Sequence, residues 1–452
     1  MAISDKHKDR YIFHFTDMSN LDSIIKNGLL STNTKNKMGI AHKNIANMAI
    51  QERRANMDVP IGPGGKVHDY VPFYFSSINP MLLTLLNHKN VDQQLIIYLC
   101  VKIKRLEKND AIYTDASANT NEAPTFYDDT SSLDCLDWNL IESRKWSVDT
   151  EEDKHKKMAE ALIYNRIGIN EIDAIVVYND DAKREVKEIF ANNKITPPNI
   201  LFDHNSYMKK YGFYYTKFFI KGKNNESLVT GPLTLLNNYR NLVIKIIEER
   251  HKRKKQYNYS TIHELIQALD KDISVIPELK DIVNLCQDYP PHNETVDKHT
   301  KTVVEEIKKL DYYKNTTDEK RNALLLSAYL HDIGKGPKNK WKSQIMTHAY
   351  PDHPADAIPM LGRILTEEIK ELSEEDIRII CMLVIYHDII GDCMKKERDI
   401  NQIVTLIDNR DDIDMLFTIS IADIKAICEE WGQDILINKE SFSSHIMELK
   451  SI

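Results

Sequence analysis

A change of periodicity near residue 222 constrains this chain more than any other feature. Upstream of it, apolar residues come in short stretches with a period of two. Downstream they recur at helical spacing with little interruption. A chain of 452 residues exceeds what one hydrophobic core usually spans, so the change reads as a domain boundary. The polar, Gly- and Asn-containing segment 221–231 marks it and divides the chain into domains 1–222 and 223–452. The fold class expected is α+β, mixed α/β in the first half and all-α in the second.

In the first half, residues 11–16 alternate, so Ile12, His14 and Thr16 share one strand face and Phe13 and Phe15 the other. A short helix follows, with Asn20 as its N-cap and Gly28 just past its end. Further strands are expected over 71–75, 95–103, 159–164 and 172–178. A Gly-rich loop covers 61–65, and an acidic, polar stretch runs from 115 to 134. In the second half, helices are expected over 294–310, 318–330 and 413–431. Another starts from a capping box of Ser373 and Asp376 and runs on to His387.

Composition excludes several classes. Charged residues at 28% and hydrophobic residues at 42% are ordinary for a globular chain. The net charge of −8 does not mark a nucleic-acid binder, although a local basic patch would suffice for one. The one basic run is Arg250 to Lys255, near the junction; a solvated helix end is the simpler reading and a nucleic-acid contact the sharper one. Six cysteines without a C-x-x-C pair read as reduced thiols, with no disulfide framework and no zinc ribbon. No apolar run is long enough to span a bilayer, and the N-terminus has no signal-peptide core, so a cytoplasmic location without membrane contact is expected.

His331-Asp332 closes an apolar helix and is followed by Ile333-Gly334-Lys335. A carboxylate buried there without a partner would cost several kcal/mol. His299, His387 and Asp423 each sit at or beside the apolar stripe of their own expected helix, and His353 opens a helix primed by Pro354. Taken singly, each histidine is more often a satisfied core residue. Together they offer imidazole and carboxylate donors to one centre, as a divalent metal requires.

These residues, with Pro291-His292, Val296-Asp297-Lys298-His299-Thr300, Ala328-Tyr329-Leu330-His331-Asp332-Ile333-Gly334-Lys335, Asp352-His353-Pro354, Tyr386-His387-Asp388 and Ile421-Ala422-Asp423, resemble the HD superfamily of metal-dependent phosphohydrolases. The segment 277–426 looks like the HD domain of bacterial CCA-adding tRNA enzymes, although no nucleotidyltransferase domain precedes it. The resemblance implies one metal held by His299, His331, Asp332 and Asp423, and a second completed by His353 and His387 with Asp332 bridging. The ion would be magnesium, manganese, iron, nickel or zinc. Lys335 is placed to meet a phosphate, and His348 is an alternative to His353 as ligand. The implied chemistry is phosphoester hydrolysis.

The first half holds neither a P-loop nor a GxGxxG turn. Instead, polar residues are embedded in apolar strands: His14 and Thr16, Arg53-Arg54 at a helix end, the aromatic strand Tyr70-Val71-Pro72-Phe73-Tyr74-Phe75, and Glu160. Each has a simple structural explanation, and for the aromatic stripe a core role is favoured, with some rings serving a ligand as well.

The strings Tyr11-Ile12-Phe13-His14-Phe15-Thr16, Asn20-Leu21-Asp22-Ser23-Ile24, Asn27-Gly28-Leu29, Gln51-Glu52-Arg53-Arg54, Pro63-Gly64-Gly65, His68-Asp69-Tyr70, Asn79-Pro80-Met81-Leu82 and Ala159-Glu160 are similar to the DarT family of ADP-ribosyltransferases over about 8–215. That resemblance implies split β-sheets around an NAD cleft, NAD as co-substrate, and thymidine in single-stranded DNA as acceptor. Guanosine or RNA is the alternative acceptor, since Ser76-Ser77 stands where many members carry a basic residue. It further implies a toxin or phage-defence role, with an antitoxin as partner. His14 and Thr16 would hold the NAD, with Gly28, Leu29, Tyr70 and Phe75 around it. The family arginine falls on Arg53 or Arg54, with Arg53 slightly preferred, and Glu160 is the catalytic carboxylate. Joined to such a transferase, an HD domain could limit or reverse its product, add a second cut, or sense a nucleotide without turnover.

Overall fold

The computed structural model describes residues 2–43, 48–119, 123–146, 148–202, 229–252 and 256–451. The chain separates into two compact units, Met1–Asn87 with Val91–Phe218, and His88–Asn90 with Phe219–Ile452. Of the 221–231 segment, the part up to residue 228 lies outside the described residues.

The first unit is built on an eight-stranded sheet in the order β10-β9-β4-β1-β3-β7-β5-β6. Its strands are β1 (Tyr11–Asp17), β3 (Tyr70–Tyr74), β4 (Ile96–Lys102), β5 (Ala111–Thr114), β6 (Phe126–Tyr127), β7 (Glu160–Tyr164), β9 (Ala174–Val177) and β10 (Asn199–Phe202). The strands read from alternation are present with ends displaced by one or two residues. β5 and β6 carry too few alternating positions to be read. β1 pairs antiparallel with β4 along its whole length, from Tyr11↔Lys102 to Asp17↔Ile96. β3 pairs with β7 from Tyr70↔Tyr164 to Tyr74↔Glu160. One face buries Ile12, Val71, Phe73, Leu99, Ala161 and Ile175 against Leu21, Ile24 and Ile25 of the helix Leu21–Asn27 and Val186 and Phe190 of the helix Asp180–Asn192. Each of the larger side chains among these contributes about 1.5–3 kcal/mol.

A ribbon of β2 (Leu29–Leu30) and β8 (Arg166–Ile167) closes one side. Gly28 makes it possible: its φ is +82°, and a Cβ there would stand 2.9 Å from the Ile167 carbonyl oxygen.

In the second unit the helices Val296–Lys309, Asp318–Leu330, His353–Glu367, Glu374–Tyr386 and Arg410–Ile427 carry the chemistry-bearing residues at or near their ends. The Ser373–Asp376 capping box forms, with the Ser373 hydroxyl accepting from the Asp376 amide at 3.0 Å. One expectation is corrected: the helix expected over 413–431 breaks at Cys428, whose backbone is extended, and a separate helix Glu429–Lys450 follows. The unit is helical as expected, apart from one short parallel pair of β11 (Cys286–Gln287) and β12 (Ile345–Met346). Of the basic run 250–255, residues 253–255 lie outside the described residues. Arg250 is half-buried, and its guanidinium donates to the carbonyls of Leu365, Ile369 and Lys370 near the end of the helix His353–Glu367, while His251 and Lys252 are exposed. Among the described residues no helix is long and apolar enough to cross a membrane.

Gly334 sets the geometry around His331-Asp332. A Cβ there would fall 1.8 Å from the His353 carbonyl oxygen and 2.8 Å from the Ala357 amide. The turn after Asp332 therefore lies directly on the first turn of the helix that presents His353. Gly334→Ala should destabilise the second unit by at least about 3 kcal/mol, read as early loss of its unfolding transition in urea. A wild-type profile would contradict this packing.

Candidate functional site

β1 and β3 join through one pair, Phe13↔Tyr74. A cavity of about 430 Å³ opens along this seam, lined by His14, Phe15 and Thr16 of β1, Asn20, Gly28, Leu29, Gln51, Arg54, and Tyr70, Pro72 and Tyr74. His14 Nδ1–H donates to the Pro72 carbonyl at 2.7 Å, which leaves Nε2 as an acceptor. Burial lowers its pKa to about 4, with Lys35 adding repulsion, so the ring is neutral at pH 7. The Thr16 hydroxyl accepts from Asn20 Nδ2 at 3.0 Å, and Asn20 holds both backbone groups of Lys43.

Glu160 opens β7 and has no exposed surface. Its carboxylate takes a two-pronged ion pair from Arg54, Nη1 to Oε1 at 2.7 Å and Nη2 to Oε2 at 2.8 Å. The Ala118 amide donates to Oε1 at 2.9 Å, and the Glu160 amide donates to Thr114 Oγ1 at 3.1 Å. Burial opposes the charge on Arg54, but Glu160 outweighs it and raises the guanidinium pKa. A carboxylate has about four acceptor positions. Three are filled, which leaves one, on Oε2. Glu160 is not itself a wall residue of the cavity; Arg54 and Tyr74, its pairing partner across β3, are.

Of the two candidate arginines, the structure brings Arg54 to Glu160. Arg53, the one preferred from sequence, turns outward and donates to the Asn119 carbonyl at 2.9 Å. Phe75 is corrected too: it is absent from the cavity wall and packs edge-on against Tyr113 and Trp138 in the core. Strand parity is the reason, since Phe75 shares a face with Val71 and Phe73 while Tyr70, Pro72 and Tyr74 turn the other way. Gln51, Asn20 and Tyr74 join the wall without having been named as NAD-binding residues. For Tyr74 the signal was its parity with Tyr70.

In the second unit, His299, His331, Asp332, His353, His387 and Asp423 lie close together. His299 Nε2 lies 2.8 Å from Asp423 Oδ1 and 3.9 Å from Asp332 Oδ2. His331 Nε2 lies 3.3 Å from Asp332 Oδ2 and 3.6 Å from Asp423 Oδ1. His353 Nε2 is 3.4 Å from Asp332 Oδ1 and 3.1 Å from His387 Nε2. Three of these rings are oriented identically: Nδ1–H of His331, His353 and His387 donates to the carbonyl three residues back, on Ala328, Tyr350 and Val384. Their Nε2 atoms therefore face inward. His331 Nε2 is buried and has no hydrogen-bond partner. A buried centre made of acceptors needs cations, so this donor set fits a divalent ion. Lys335 Nζ supplies positive charge meanwhile, at 2.7 Å from Asp332 Oδ2 and 3.0 Å from Gln287 Oε1. Burial opposes ionisation of Asp423, yet the hydrogen bond and charge of His299 hold its carboxyl at about 2. Burial also opposes protonation of His387, but Asp388 outweighs it and lifts that pKa to about 9. His348 lies beside Trp341 and outside the cluster.

Residues 13–208 match the family of ssDNA thymidine ADP-ribosyltransferases, DarT. A DNA ADP-ribosyl transferase of Thermus sp. (strain 2.9) is 33% identical over 183 residues, 39% of this chain and 86% of that protein. The chain belongs to the DarT family. Solved structures of Thermus sp. 2.9 DarT are 28% identical to it: one in complex with ADP-ribosylated ssDNA has a TM-score of 0.41 and covers 47% of this chain and 100% of that one. Another, in complex with NAD+, has a TM-score of 0.37 and covers 44% and 96%. Residues 296–416 match the HD domain, so this DarT-family chain also carries an HD domain. Asp423 falls beyond that match and is tied to it by its contact with His299.

Two predictions separate the roles in the DarT-family cleft. Arg54→Ala strands a buried carboxylate and should cost about 3–5 kcal/mol of stability, whereas Arg53→Ala should stay within about 0.5 kcal/mol; urea denaturation of the two variants compares them, and equal losses would sink the assignment. His14 binds no proton until pH approaches 4, so the NAD dissociation constant should show no His14 titration between about pH 5 and 8. An inflection near pH 6.5 that His14→Asn removes would contradict a neutral ring.

Proposed function

We propose that the first unit transfers ADP-ribose from NAD to a base of single-stranded nucleic acid, with thymidine in DNA as the favoured acceptor. The observation that carries this reading is the Glu160 carboxylate, held rigidly by Arg54 and the Ala118 amide beside a cavity that presents a neutral imidazole and a hydroxyl. In the reaction the nicotinamide–ribose bond breaks and nicotinamide leaves with the bonding pair. The acceptor base bonds to the same ribose carbon and loses a proton. Positive charge develops on the ribose as the bond lengthens, and a fixed carboxylate stabilises it more in the transition state than in the ground state. The free Oε2 position of Glu160 accepts from a ribose hydroxyl. Arg54 keeps two N–H groups on that carboxylate, and its remaining donors steady phosphate or the acceptor base. His14 and Thr16 orient the nicotinamide end. The acceptor base must be unstacked to reach the cleft, which favours single strands.

The HD domain is proposed as a phosphohydrolase acting on a phosphoester. His299, His331, Asp332 and Asp423 would hold one divalent ion and His353 and His387 a second. Such an ion supplies Lewis-acid stabilisation of a phosphoryl oxygen and an acidified water. Lys335, fixed between Asp332 and Gln287, keeps a positive charge at the same place for a substrate phosphate. The division near residue 222 and a cytoplasmic site of action belong to the same proposal; the six free thiols are in keeping with a reducing compartment. So does a toxin role with an antitoxin partner, since modified template bases obstruct copying.

The test is incubation with labelled NAD and oligonucleotides. Glu160→Ala should abolish label transfer to nucleic acid and leave metal content unchanged, and Asp332→Ala should do the reverse. Transfer that survives in Glu160→Ala, or that reaches RNA and spares DNA, would overturn the carboxylate or the acceptor assignment respectively.

A further inference from the structure

We infer that Asp388 is a metal ligand, completing a second cation position with Asp332, His353 and His387; this rests on the metal-centre reading of the HD domain. The pattern of histidines and aspartates by which the domain resembles its superfamily does not include it.

Backbone geometry makes the first case. His331 caps the helix Asp318–Leu330 with φ −56° and ψ −35°, and His387 caps the helix Glu374–Tyr386 with φ −56° and ψ −32°. In both, Nδ1–H turns back to a carbonyl three residues earlier. In both, an aspartate comes next, and its side chain returns to the ring it follows. His331 Nε2 lies 3.3 Å from Asp332 Oδ2, and His387 Nε2 lies 3.1 Å from Asp388 Oδ1. The chain therefore builds the same His-Asp device at two helix ends, and both point to one centre.

Chemistry makes the second. A carboxylate that merely orients a ligand histidine takes its Nδ1–H. That hydrogen of His387 is already on the Val384 carbonyl, so Asp388 faces the inward ring nitrogen, Nε2. Asp388 Oδ2 also stands 3.9 Å from His353 Nε2, which is itself 3.1 Å from His387 Nε2 and 3.4 Å from Asp332 Oδ1. Donors about 2.1 Å from a shared ion lie about 3.0 Å apart at right angles and about 3.4 Å apart at the tetrahedral angle. Three of the separations, 3.1, 3.1 and 3.4 Å, lie within that range, and the Asp388–His353 one exceeds it by 0.5 Å. A proton can bridge two of these acceptors, whereas a cation serves all four. Asp388 thus brings a carboxylate to the His353–His387 pair from beside His387, as Asp332 does from beside His353.

The experiment is equilibrium dialysis of the metal-depleted full chain against manganese(II), with bound metal measured by mass spectrometry. Wild type should bind a second ion after the first. Asp388→Ala and Asp388→Asn should weaken the second at least about tenfold and leave the first, with helical circular dichroism unchanged; His353→Ala should behave likewise. If both Asp388 variants bind the second ion as wild type does while His353→Ala loses it, Asp388 is no ligand although the metal centre stands. A wild type that binds one ion overturns the second position. One that binds none overturns the metal-centre reading beneath it.

Discussion

The transferase half depends on one buried ion pair. Glu160 has no exposed surface and Arg54 almost none, and a charge left alone in such a place costs several kcal/mol. β7 can bury Glu160 at its first position only if the helix Met48–Asn56 delivers Arg54 to it, and that helix can bury Arg54 only if β7 is in register with β3. The pair therefore couples a helix outside the sheet to the strand register beneath it. It also fixes the carboxylate within the narrow tolerance that transition-state stabilisation demands. Stability and chemistry make the same demand on these two residues.

The HD domain poses the opposite electrostatic problem. Its centre has a surplus of acceptors, with four inward-facing imidazole nitrogens and three aspartates. Backbone carbonyls have taken the outward hydrogens of His331, His353 and His387, which turns their Nε2 atoms toward one another and the aspartates. The orphaned Nε2 of His331 and the ammonium of Lys335 drawn onto Asp332 are two expressions of that surplus. Where Glu160 is matched inside the protein, this cluster is matched only by what it binds.

Much of this was legible in the sequence because period and order carry it. Alternation places His14 and Thr16 on one strand face, and helix ends collect the histidines and aspartates of the second unit. What could not be read depends on tertiary choice. Arg53 and Arg54 are neighbours on a helix, about 100° apart around its axis, and only docking decides which faces Glu160. In Tyr70-Val71-Pro72-Phe73-Tyr74-Phe75 both faces are apolar, so composition hides the parity that sends Phe75 to the core. Asp388 was hidden differently: it follows a recognised ligand and looks like the polar end of a helix. The break at Cys428 carries no Pro or Gly to announce it.

The most direct test is tandem mass spectrometry of a single-stranded DNA oligonucleotide containing one thymidine, after incubation with the full chain and NAD. The account predicts one added ADP-ribosyl group, with fragmentation assigning it to the thymine base. An unmodified oligonucleotide beside ADP-ribosylated protein, or modification confined to another base, would contradict it.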